Sequence, residues 1–118
     1  NKSGVHACYK YDANGADKEL PPRAMAVAAI DKADAPGTFL LTGIVRNDGW
    51  THSTGDEAIE NMSTDSAEGK IVYADGATAG RMTLTKSTTS ADMVAILGYV
   101  IEQNVIYFNP SPILVEVP

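Results

Sequence analysis

Few residues in this chain have the types and spacing that catalysis or metal binding requires. The two histidines are His6 and His52, and Cys8 is the single cysteine. Three ligands are the minimum for a zinc site, and the spacing of these residues matches no known zinc motif. Cys8 shares one face of a predicted strand with His6, where a small, semi-buried apolar side chain is the expected role. We therefore predict that no metal is bound through these residues.

Two loops resemble ligand-binding motifs only superficially. Asp12, Asn14 and Asp17 suggest a calcium-binding loop, although Asp17 occupies the sixth loop position and not a ligand position. The later loop positions lack the oxygen ligand, glycine and glutamate that an EF-hand needs, which predicts a solvated turn and leaves open only a weaker, fortuitous calcium site. The loop from Gly76 to Arg81 lacks the spacing and the lysine of a phosphate-binding loop, so a hairpin loop is expected. We predict no catalytic residue, no cofactor and no metal, and hence a protein that is not an enzyme.

Trp50 is the strongest candidate for a binding contact. It lies in a polar loop, residues 46–55, together with Arg46 and His52. Exposed tryptophan and arginine are over-represented at binding hot spots. Two roles stay open for the ring, which either contacts a partner or folds back to close one end of the domain. Tyr99 completes the set of candidate contact residues as a second aromatic surface.

The elements that position these residues are clearest near the C-terminus. Residues 93–117 contain three short hydrophobic runs, separated by Gln103–Asn104 and by Asn109–Pro112. Runs this short with two prolines between them favour strands, because proline removes a backbone donor and clashes with the preceding turn. A capped helix is the alternative for Met93–Glu102, but Gly98 and the β-branched residues around it favour a strand with a bulge.

Further short runs predict more strands upstream. They are Val5–Tyr11, Ala24–Ile30, Thr38–Val45, Lys70–Tyr73 and Arg81–Thr85. Ala24–Ile30 also has helix-forming residues, and Gly43 within the third run indicates a bulge or a close backbone approach. The pattern predicts an all-β fold, a small single-domain β-barrel or β-sandwich of seven to nine short antiparallel strands over residues 1–118, with residues 1–4 as a flexible arm.

The composition excludes several classes of partner. Of 118 residues, 44% are hydrophobic and 20% charged, and the formal net charge is −6. An acidic surface repels nucleic-acid phosphates and anionic lipid headgroups, so we expect neither nucleic acid nor membrane as a partner. No apolar stretch approaches the roughly 20 residues that a membrane span needs. One cysteine excludes an intrachain disulfide and the disulfide-rich secreted class.

Three segments carry a resemblance to a known family. They are Phe39–Trp50 (FLLTGIVRNDGW), Lys70–Tyr73 with Met82–Thr85, and Ile96–Tyr99 (ILGY) through Ile106–Pro112 (IYFNPSP) to Val115–Val117 (VEV). Together they resemble a domain of structural proteins in tailed bacteriophages. The resemblance spans residues 39–117, and its most specific part is the C-terminal motif. Ile113 and Leu114 depart from the family's aromatic ending, which removes a sugar-stacking ring there.

The resemblance implies a non-enzymatic virion protein, first of all a capsid decoration (cement) protein that binds and stabilises the assembled head. Its partners would be the major capsid protein or other virion proteins, and it would form a homo-oligomer, with a trimer as one expectation. The alternative is a tail or fibre module that binds host-surface carbohydrate, with Trp50 and Tyr99 as platforms. A third hypothesis is a hydrolase that uses Asp48, His52 or Asp56 for acid–base chemistry.

Overall fold

A computed structural model of the chain describes residues 11–15, 18–27, 35–51, 59, 62 and 67–118. These residues form antiparallel strands and one short 3-10 helix, Asp48–Thr51, which confirms the all-β class. The predictions for the N-terminal arm, His6, Cys8 and His52 lie outside the described residues. Within the described ranges, no helix has the length and apolar character that crossing a membrane requires.

Eight strands lie in the described residues, and they form two sheets. The strands are β1 (Met25–Ala26), β2 (Phe39–Leu40), β3 (Gly43–Arg46), β4 (Ile71–Ala74), β5 (Met82–Thr83), β6 (Met93–Glu102), β7 (Val105–Phe108) and β8 (Leu114–Glu116). β1 and β2 pair with each other, and the main sheet has the order β3-β7-β6-β4-β5, with β8 beside the first half of β6. β3 and β5 are the two edge strands of the main sheet and do not pair with each other, so these strands do not close into a barrel.

β6 is the central strand of the main sheet and confirms the strand prediction for Met93–Glu102. Its ten residues pair with β4 on one side and with β7 and β8 on the other. The hairpin to β7 turns at Gln103 and Asn104, and Asn104 has a φ of 64°. Asparagine tolerates this left-handed conformation better than most residues do. A helix is excluded here because the segment pairs with three other strands, β4, β7 and β8.

Gly98 forms the bulge that its position in β6 predicts. Val72 pairs with Gly98 but Tyr73 pairs with Ile96, so β6 has one extra residue at this point. The bulge keeps Leu97 and Val100 both buried, although strict alternation would place them on opposite faces. Gly98 has a φ of 148°, and a Cβ atom there would lie 1.8 Å from the carbonyl oxygen of Tyr107. Only glycine fits this approach of two backbones.

The prediction of one strand over Thr38–Val45 is wrong. The run divides into β2 and β3, which belong to different sheets. The break precedes Gly43, whose φ of 147° is a conformation that glycine favours. A Cβ atom at Gly43 would meet only the Leu40 side chain, at 3.5 Å, so no close backbone approach occurs.

Two predicted strands are shorter among the described residues. Of Ala24–Ile30, the described residues contain Met25–Ala26 as strand, and Arg81–Thr85 contracts to Met82–Thr83. The third hydrophobic run near the C-terminus is confirmed as a three-residue strand, β8. A strand continues only as far as a neighbouring strand pairs with it. The length of a hydrophobic run therefore overestimates the length of the strand when the partner is shorter.

The core lies on one face of the main sheet, which we call the inner face. Val72, Val100, Ile106 and Phe108 are each at most 2% exposed and come from three neighbouring strands. Burying a side chain of this kind stabilises the fold by about 1.5–3 kcal/mol. Further members of the same cluster are Trp50, Ile59, Met62, Ala67, Ala74, Ala95 and Leu97.

Candidate functional site

The opposite side of the main sheet, the outer face, carries a row of apolar and aromatic side chains. Ile44 on β3 pairs with Tyr107 on β7, Tyr107 pairs with Tyr99 on β6, and Tyr99 pairs with Ile71 on β4. Directly paired residues project their side chains on the same face of a sheet. The four residues therefore form one continuous row across four strands.

This row is accessible to solvent. Ile44 is 70% exposed, Tyr99 46% and Ile71 39%, and Tyr107 is half-buried. Two more apolar residues of β6, Ile96 and Ile101, are each 39% exposed, and Tyr73 pairs with Ile96. Singly exposed apolar residues are ordinary, whereas a contiguous set is typical of a binding surface. The outer face is therefore the candidate functional site of the described structure.

Two tyrosine rings lie at the centre of the row. The centroids of Tyr99 and Tyr107 are 5.5 Å apart, and the ring planes are tilted by 41°. Aromatic pairs at this separation stabilise each other by about 0.5–1.5 kcal/mol beyond the area they bury. Tyrosine also presents a large contact area with few rotatable bonds. The pair thus gives the outer face a partly pre-ordered aromatic centre.

Charged residues border one end of this face. Arg46 on β3 and Glu102 on β6 both pair with Val105, which lies between them on β7. Arg46 makes an ion pair with Asp48 at 3.0 Å, and both side chains are about 70% exposed. An exposed pair of this kind contributes about 0–1 kcal/mol to stability. An apolar centre with a polar rim is the usual composition of a protein-binding surface.

The structure describes three of the four residues that the sequence analysis selected as candidate contacts. Arg46 and Tyr99 lie on the same face of the sheet, in neighbouring rows on either side of β7. Trp50 belongs to the core, and His52 lies outside the described residues. Of the three described candidates, Arg46 and Tyr99 contribute to the outer face, and they do so through strand pairing and not through a shared loop.

Trp50 is 4% exposed. Of the two roles that the sequence left open, its ring therefore packs in the core and does not contact a partner. Asn47 determines this placement: its amide donates to the Asn104 carbonyl at 3.0 Å, which ties the loop to the β6–β7 turn. The Asn47 side chain accepts from the Gly49 amide at 2.9 Å and its carbonyl from the Trp50 amide at 3.1 Å. These bonds form the tight turn of the 3-10 helix and direct the indole inward.

The two loops with superficial motifs are turns. The Asn14 amide donates to Asp12 Oδ1 at 3.2 Å, which is a local Asx turn. Gly76 to Arg81 lies in the loop of the β4–β5 hairpin, as predicted, and Asp75 accepts from the Ala77 amide at 2.8 Å. Among the described residues, no group of three or more histidine, cysteine, aspartate or glutamate side chains is placed to hold a metal ion.

Sequence reasoning did not select Ile44, Ile71 or Tyr107 as site residues. Each lies in a segment with β-prone residues, but the face it occupies depends on the register between strands. The one signal in the sequence was the alternation of IYF, which places Tyr107 opposite in direction to Ile106 and Phe108. Which of those two directions faces solvent is decided only by the packed core.

Comparison with family models, with curated proteins and with solved structures gives no match for this chain.

Proposed function

We propose that this protein is a non-enzymatic structural protein of a bacteriophage virion, and that it decorates the capsid by binding the assembled head. A ligand that binds only the assembled form stabilises that form by mass action. The protein therefore acts as a preformed block that adds contact area to the shell. In this role its partners are the major capsid protein or other virion proteins, and its location is the capsid surface.

The observation that carries this proposal is the outer face, an accessible row of apolar and aromatic side chains on a sheet whose other side is packed. The row runs from Ile44 to Ile71 through the tyrosine pair and is formed by residues of four neighbouring strands. The resemblance of residues 39–117 to phage structural domains supports the same role. Its most specific motif contributes Tyr107 to the row.

The test is to add the purified protein to heads assembled without it and to measure their resistance to heat. We expect bound protein to raise the temperature at which the heads release their contents, and the rise to saturate with added protein. Binding to tails alone, or to no particle, would contradict the decoration role. Immunogold labelling of whole particles distinguishes head from tail in one experiment.

A tail or fibre module that binds host carbohydrate is the second candidate, and the tyrosine pair is the observation that favours it. Exposed aromatic rings stack on sugars; Tyr99 is exposed, and the half-buried Tyr107 lies beside it on the outer face. Trp50 no longer contributes to this role because its ring is buried. Binding to a glycan array that is lost on Tyr99→Ala would favour this function over decoration.

A further inference from the structure

We infer that the outer face binds a flat apolar patch with a basic rim on a repeating protein assembly, and that a single contact through this face is weak. This inference rests on the proposed decoration function and specifies its surface and its partner. The surface is defined by Ile44, Tyr107, Tyr99 and Ile71 in the main row, with Ile96 beside them.

The size of the face indicates a partner that presents many copies of the binding patch. The face spans four strands and three rows of side chains: the main row, the row of Arg46 and Glu102 on one side of it, and the row of Ile96 and Tyr73 on the other. At the usual strand and residue spacings this is roughly 20 Å by 20 Å, or about 400 Å². A stable two-protein interface needs about 800 Å² on each side, so two copies joined through this face would bury only about half of that. A surface this small becomes effective when several contacts act together on one particle.

The chemistry of the row indicates a protein and not a sugar. Ile44 and Ile71 flank the two tyrosines, and the only polar side-chain atoms within the row are the two phenol oxygens. A sugar site needs several polar groups around the stacking ring to hold the hydroxyls. Aliphatic side chains on both sides of an aromatic pair instead match the apolar centre of a protein interface.

The charges around the face indicate a basic rim on the partner. Arg46, the cation that adjoins Val105 on this face, is already paired with Asp48. Glu102, on the other side of Val105, has no cation among the described residues as its ion-pair partner. The whole chain carries a net charge of −6, so two copies repel each other while a basic surface attracts them.

The experiment measures binding to undecorated heads by co-sedimentation, using two matched variants of the full chain. Ile44→Asp places a charge in the row at a position that is 70% exposed, and Leu20→Asp does the same at a 66% exposed position in an N-terminal loop. Because both side chains lie largely in solvent, neither change removes core packing. We expect Ile44→Asp to weaken binding about 10-fold or more, a hot-spot effect, and Leu20→Asp to change it less than about 2-fold.

Two further measurements test the partner's chemistry. Glu102→Lys should weaken binding to heads, because an attractive charge becomes a repulsive one. Lowering the salt concentration should strengthen binding of the wild type and weaken binding of this variant. Sedimentation of the free protein should show no association that depends on Ile44, and unassembled capsid subunits should bind much more weakly than heads. Thermal melting of each variant, which should match the wild type, verifies that all are folded.

The outcomes separate this inference from the function on which it rests. If the wild type binds heads and Ile44→Asp binds equally well, decoration stands and the outer face is not its surface. If the wild type binds no head, both are overturned. If the free protein forms a dimer that Ile44→Asp dissociates, the partner of the outer face is a second copy of the chain. If a glycan binds and Tyr99→Ala abolishes that binding, the partner is a sugar. Either result contradicts the inference.

Discussion

Replacing Gly98 by alanine should destabilise the protein strongly, because the β6–β7 contact leaves no room for a side chain. A Cβ atom there would lie 1.8 Å from the Tyr107 carbonyl oxygen, 2.9 Å from its carbon and 3.3 Å from the Asn109 nitrogen. Relief requires the two backbones to separate by more than about 1 Å, since Cβ–oxygen contacts below about 3 Å are repulsive.

The magnitude combines backbone strain with lost pairing. A non-glycine residue at the Gly98 φ of 148° costs about 1–3 kcal/mol. Separating the strands also weakens bonds such as Asn109 amide to Leu97 carbonyl, now 2.8 Å, at about 1 kcal/mol each. We expect a total loss of about 3–5 kcal/mol, against a stability of about 6–18 kcal/mol for a domain of this length.

The assay is urea-induced unfolding, with Gly69→Ala as the control. Gly69 also has a positive φ, 77°, but a Cβ atom there would meet nothing within 4 Å. That change should cost only the backbone strain, about 1–2 kcal/mol. Equal losses of unfolding free energy in the two variants would refute the steric argument, and with it the close approach of β6 and β7.

Three further predictions concern other buried groups. Trp50, the single tryptophan, should give a blue-shifted emission that acrylamide quenches poorly; a red-shifted, readily quenched emission would contradict its burial. Burial and the nearby Asp12 raise the pKa of the Tyr11 phenol above its ordinary value of 10.0, and its hydroxyl donates to the Lys18 carbonyl at 3.0 Å. The stabilisation from the neutral phenol is therefore complete below pH 10 and is lost as the pH rises through the folded-state pKa. The difference in unfolding free energy between wild type and Tyr11→Phe should accordingly narrow above pH 10, and a constant difference would argue against it. Ser87→Ala should cost about 1–3 kcal/mol of unfolding free energy, because the buried Asp92 carboxylate loses a 2.6 Å hydrogen bond; a loss below about 0.5 kcal/mol would show that water replaces the hydroxyl.

The C-terminal third of the fold could be predicted from the sequence nearly residue by residue. Met93–Glu102 and Val105–Phe108 are strands with the predicted boundaries, and the bulge lies at Gly98. Local chemistry dominates here, since turn residues and prolines separate short runs whose β-branched residues favour an extended conformation. The run Thr38–Val45 was predicted less well, because its two halves pair in different sheets and the division before Gly43 depends on those distant pairing partners.

The candidate site could be predicted only in part. Arg46 and Tyr99 were selected because of their residue types, and both lie on the outer face. Trp50 was selected for the same reason and is buried, since the hydrogen bonds of Asn47 turn its ring toward the core. Residue type indicates what a side chain can bind, whereas its exposure depends on elements distant in the chain.

The sequence by itself determined the class of the protein: an acidic chain whose short β-prone runs, prolines and turn residues favour strands over helices. Those properties are local, so neighbouring residues suffice to specify them. The tertiary structure alone decided that Ile44, Tyr107, Tyr99 and Ile71 form one row, in which all but the half-buried Tyr107 are exposed. A shift of one residue in register would move every side chain of a strand to the other face, and only the packing of Phe108, Ile106 and Val72 into a common core selects the register that leaves this row in solvent.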